Sequence, residues 1–177
     1  MVINRILSYL LLLLGIIFMI FPYRFTTFYW LMFISFAIAL LFKFIIKKLE
    51  LTEKEYFVVL IIIWLNVLGE LWFYFNFLFY DKLLHFIVPF SISYIYCGYL
   101  KKNKQRITYF FPFTILGMLA FFEIFEWIID TFIGFPMLGV FDSSGSYVMS
   151  KLTDTMIDLC VGISGIMVFL FTRWKKN

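Results

Sequence analysis

The 177 residues are 64% hydrophobic, 24% aromatic and only 15% charged, which leaves too little polar surface for a water-soluble domain and makes lipid the solvent. The net charge of +4 resides in short clusters of Lys and Arg, a pattern that argues for topology and contact with anionic lipid and against nucleic acid as a partner. Helix association in lipid rests on packing, small residues and interhelical hydrogen bonds, so the few polar side chains carry most of the information.

Apolar runs long enough to cross about 30 Å of hydrocarbon predict six transmembrane helices, at 6–21, 27–46, 56–79, 83–100, 108–133 and 152–174. Pro22, the KKLELTEKE stretch, YDK, KKNKQR and the segment GFPMLGVFDSSGSY punctuate them. The expected fold is all-α, a polytopic membrane helix bundle forming a single integral membrane domain over 1–177. The first run follows Arg5 as a secretory signal would, yet FMIFPYRF offers no small-x-small cleavage pattern, so a retained anchor is expected.

Lys and Arg set the orientation. Arg5, Lys43, Lys47, Lys48, Lys54, Lys101, Lys102, Lys104, Arg106, Arg173, Lys175 and Lys176 fall on one side of the six spans, and Arg24, Lys82 and Lys151 on the other. Both termini are therefore expected in the cytoplasm, with the chain in a bacterial cytoplasmic membrane. Glu50, Glu53 and Glu55 share a basic loop and read as a solvated charge cluster. The other acids map to the outer half of the bilayer or the outer loops.

Residues three, four and seven apart share a helix face. Asp81 and His85 in YDKLLHF make one such pair, Glu123, Glu126 and Asp130 in AFFEIFEWIID make a stripe, and Asp154 and Asp158 in KLTDTMIDLCVG make another. Counted from the flanking charges at ~1.5 Å per residue, these sets and Glu70 share a depth. An isolated carboxylate near a helix centre costs about 2.5–3.5 kcal/mol on insertion scales, so a converging set requires a counter-charge. Lys82 and Lys151 are expected at the rim, off the buried stripes. A divalent cation is then the economical solution: Glu123, Glu126, Asp154, Asp158 and His85 as ligands for Mg²⁺, Mn²⁺, Zn²⁺ or Fe, with Glu70 and Asp130 as outer-rim acids. Asp81 and His85 are the candidate acid–base pair. A proton-sharing network that joins helices is the non-catalytic alternative.

Other motifs are ordinary. His85 is the single histidine, which excludes histidine-box desaturases and multi-histidine zinc hydrolases. GISG, Gly162 to Gly165, matches a GxSG serine-protease pattern but lies about two turns below Asp154 and Asp158 with no His-x-x-Gly after it, so close helix packing is expected. Cys97 and Cys160 differ in depth by over ~10 Å, and no disulfide is expected.

DKLLHFIVPF, EIFEW and DTMIDL, in this order on successive helices, resemble the D-x-x-x-H, E-x-x-E-W and D-T-x-x-D blocks of the YjdF-like bacterial inner-membrane proteins. The resemblance covers about the C-terminal hundred residues and implies a multi-span helical membrane protein with Asp81, His85, Glu123, Glu126, Asp154 and Asp158 as shared residues; Thr153 replaces the aromatic expected before Asp154. VanZ-like proteins of glycopeptide resistance are similar at DKLLHF, which points toward the cell envelope. Two functions follow from the residues: a metal-dependent enzyme acting at the outer leaflet on a lipid or lipid-linked substrate, or a proton- or cation-coupled carrier using the same acids. An accessory membrane subunit is the third.

Overall fold

The computed structural model describes residues 13, 52–69, 73, 77, 79–106, 108–133, 140–141 and 147–174. In chain order these form α1 (Glu53–Leu68), α2 (Tyr80–Lys102), α3 (Phe110–Ile133), a hairpin of β1 (Val140–Phe141) and β2 (Tyr147–Met149), and α4 (Lys151–Trp174). Three of these helices are long and apolar enough to cross a membrane, over Tyr80–Lys102, Phe110–Phe132 and Lys151–Arg173. They coincide with the last three expected spans. The expected spans at 6–21 and 27–46 lie outside the described residues. The span expected at 56–79 is described as an α-helix only over Glu53–Leu68.

Local chemistry sets the helix ends. Thr52 closes a capping box on α1: its hydroxyl accepts from the Glu55 N–H at 3.3 Å, and its own N–H donates to Glu55 Oε2 at 2.6 Å. Glu55 thus leaves the solvated cluster in which it was expected. It is buried, and its carboxylate lies where a side chain on Gly98 of α2 would otherwise project. At the other end of α1 the Tyr80 hydroxyl donates to the Leu65 carbonyl at 2.7 Å, so α1 and α2 run antiparallel. On α4 the Ser150 hydroxyl accepts from the Thr153 N–H at 3.2 Å. Acids in the first turns of α2 and α4 (Asp81, Asp154) and bases in their last turns (Lys101, Lys102, Arg173) complement the helix dipoles. The segment GFPMLGVFDSSGSY, expected only to punctuate the spans, enters a short strand pair: Val140 pairs with Met149 and Phe141 with Tyr147 across a register irregularity.

Helices α2 and α4 form the closest pair. Gly165 of α4 lies against the Phe86 carbonyl of α2, an approach with no room for a Cβ, and Gly162 lies against the Leu119 side chain of α3. The GISG segment is therefore the point where three helices converge, as small residues permit in lipid. Toward the basic end the same helices pack through Cys97, Leu100, Phe111, Ile115, Ile166 and Phe169, with the Phe111 ring stacked on Tyr96 at 5.4 Å and on Phe169 at 6.0 Å. Cys97 is buried in that core and Cys160 is exposed, and both are free thiols.

Candidate functional site

The opposite end of the three helices gathers the acids. Asp81, Lys82 and His85 project from the first two turns of α2. Glu123 and Glu126 come from the second half of α3, and Asp154 and Asp158 from the first two turns of α4. Lys82, His85, Glu123, Glu126, Asp154 and Asp158 are all buried. Pro89 inside α2 lacks the N–H that would bond the carbonyl of residue 85, so the backbone is loosened one turn below the site.

Lys82 stands at the centre of one half. Expected at the rim, it is instead only 8% exposed, and its ammonium lies 2.7 Å from the Asp158 carboxylate and 3.0 Å from Asp81 Oδ2, with Asp154 as its third partner. The three N–H donors of an ammonium are matched by three carboxylates. The signal was in the sequence: Lys82 precedes His85 by three residues, the spacing of helical neighbours, and its flexible stem lets the charge reach the stripe from the first turn.

His85 stands at the centre of the other half. Its Nε2 lies 3.5 Å from Asp81 Oδ1 and its Nδ1 lies 3.3 Å from Glu123 Oε1. Glu123 is 4% exposed; neither of its oxygens makes a well-directed hydrogen bond, and the His85 ring and the Thr155 side chain are its polar neighbours. The donor atoms of His85, Glu123 and Glu126 lie within 4.8 Å of one another, as do those of Asp81, His85 and Asp158. Two ligands bonded to one ion at about 2.0–2.2 Å with tetrahedral or octahedral angles stand roughly 3.0–3.5 Å apart, so the His85–Glu123 separation fits a shared ion.

The sequence-derived residues thus divide. His85, Asp81, Glu123, Glu126 and Asp158 converge. Asp154 bonds Lys82 and falls outside both donor groups. Asp130 meets Lys151 in an ion pair between α3 and α4; the lysine side chain is exposed, whereas the carboxylate expected at the outer rim is largely buried. Glu70 lies outside the described residues. Beside the cluster an open cavity of about 700 Å³ is lined, among the described residues, by Phe73, Phe77, Phe79, Tyr80, Lys82 and Leu83.

Buried acids at one end of a three-helix membrane unit are thus a property of the chain's own geometry. A family model described as "Predicted membrane protein (DUF2238)" matches residues 3–177. The chain belongs to that family. As a DUF2238 membrane protein it carries the match through every described helix and through the whole acidic cluster. No curated protein and no solved structure matches the chain.

Proposed function

We propose that this chain is a metal-dependent membrane enzyme acting at the outer leaflet of a bacterial cytoplasmic membrane on a lipid or lipid-linked substrate. Within its family we read it as YjdF-like, on the three sequence blocks that carry the cluster. The observation that carries the reading is Glu123: a carboxylate buried among helices, without a well-directed hydrogen bond, facing an imidazole nitrogen at ligand-to-ligand distance. A buried, unsatisfied anion is too costly to be retained without a cation or a proton.

His85 Nδ1, Glu123 and Glu126 hold a divalent ion in this reading, and Asp81 accepts from His85 Nε2, fixing the tautomer and orientation of the ligand ring. When bound, the ion polarises a phosphoryl or acyl oxygen of the substrate. The Asp81 side chain is 30% exposed, the most open of the carboxylates at His85 and Lys82, and so is the one placed to exchange protons with water. The aromatic cavity supplies a surface for a hydrocarbon chain whose head group reaches the cluster. Chemistry at one face is favoured over a carrier because, among the described residues, the helices beyond the GISG constriction close on an apolar core.

Metal analysis of detergent-purified protein tests the site, with thermal melts in Mg²⁺, Mn²⁺, Zn²⁺ and Fe²⁺. A folded sample with sub-stoichiometric metal and no stabilisation by any of them leaves shared protons as the explanation of Glu123. Incubation in vesicles with phospholipid and with a polyprenyl-linked phosphate, read by mass spectrometry, tests the chemistry. Orientation is tested by single cysteines in the 101–106 loop, which should resist an impermeant thiol reagent in intact cells; labelling there would move the site to the inner leaflet.

A further inference from the structure

We infer that Lys82 stands in for a second metal ion, so that the cluster takes one divalent cation and Asp154 and Asp158 serve the lysine. The inference rests on the metal reading above for the first ion but concerns a different set of atoms. Two donor groups overlap at His85: His85 with Glu123 and Glu126, and His85 with Asp81 and Asp158. Such a layout, with carboxylates on both sides of a shared ligand, has the form of a two-ion site. The second half is already occupied. Lys82 bonds Asp81 at 3.0 Å and Asp158 at 2.7 Å, and Asp154 completes its three donors. A divalent ion on Asp81 and Asp158 would have to displace the ammonium or sit against it in a site of low dielectric, where like charges repel strongly.

The arrangement also connects the halves. Asp81 turns Oδ2 to Lys82 and Oδ1 to His85 Nε2, so the lysine holds the carboxylate that orients the ligand imidazole. Lys82 is in this sense a positioning residue, and a fixed ammonium does its work without needing a second ion from solution.

The test counts Mn²⁺ bound to purified full-length protein in four versions: wild type, Lys82→Met, Lys82→Arg and Asp154→Asn. One equivalent is expected in wild type, Lys82→Arg and Asp154→Asn, and two in Lys82→Met, whose vacated carboxylates accept the second ion. Recovery of folded Lys82→Met only when Mn²⁺ is present supports the inference equally. It is overturned if wild type binds two equivalents, if Lys82→Met binds the same number as wild type, or if Lys82→Met stays unfolded at every Mn²⁺ concentration while Lys82→Arg folds. Zero equivalents in wild type with one in Lys82→Met would remove the proposed metal enzyme and leave the role of Lys82 standing.

Discussion

The two ends of the α2–α3–α4 unit are built from the same helices by opposite means. At the basic end, Cys97, Leu100, Phe111, Ile115, Ile166 and Phe169 interlock without a charge among them. At the acidic end, Asp81, Glu123, Glu126, Asp154 and Asp158 surround Lys82 and His85, and polar side chains make the contacts between helices. Gly165 and Gly162 separate the two regimes. Specificity in a lipid-embedded protein lies with its buried charges. Apolar packing holds helices together but tolerates exchange among residues of similar shape, whereas a buried charge is tolerated only opposite its partner. Stability should therefore respond most to the basic end, and function to the acidic end.

Phe111→Ala removes a fully buried ring and should lower stability by about 3–5 kcal/mol, while metal stoichiometry stays as in wild type. Unfolding in detergent followed by metal analysis of the folded fraction checks both halves; loss of the ion would show that the two ends are not independent.

Glu123→Gln is the counterpart. It keeps the shape and removes the charge, and should weaken divalent binding on the order of 100-fold or more, about 2.7 kcal/mol, with a smaller change in the metal-free melt. Titration calorimetry or competition with a metallochromic dye measures it. Unchanged affinity would take Glu123 out of the ligand set. Binding to wild type should also weaken as pH falls, because ligand carboxylates and the imidazole must be deprotonated to hold the ion.

Asp81→Asn sharpens the picture within the acidic end. The residue touches His85 and Lys82 and is not a proposed ligand, so a loss of about 10–100-fold in affinity is expected, with one equivalent still bound at saturation. A loss as complete as that of Glu123→Gln would make Asp81 a ligand in its own right.

The glycines give the smallest and most graded effects. A Cβ at Gly165 meets the rigid Phe86 backbone, so Gly165→Ala should cost about 1–3 kcal/mol. At Gly162 it meets the Leu119 side chain, which has freedom to shift, and the cost should be less. At Gly117 nothing stands in the way, and Gly117→Ala should be neutral or gain up to ~1 kcal/mol from helix propensity. Thermal melts of the three variants order them; equal effects would show that α2 and α4 do not meet as closely as the Phe86 contact requires.

A membrane protein of helical class, three helices long and apolar enough to cross a bilayer, and most of the acids that converge are legible in the sequence, because hydrophobic length and the three-and-four spacing are local properties of a chain. The sequence also holds the Thr52-x-x-Glu55 capping signature that removes Glu55 from the loop charges. How the acids are shared is settled by packing between helices. Spacing within α2 cannot say that Lys82 reaches across to Asp154 and Asp158, which are 72 and 76 residues away, or that Asp154 is thereby withdrawn from the donor groups around His85. That partition depends on which faces of α2 and α4 meet, and Gly165 sets it by letting one helix approach the Phe86 carbonyl of the other. A charge buried in lipid takes whichever partner the packed backbone brings within bonding distance, and that distance is fixed between helices rather than along them.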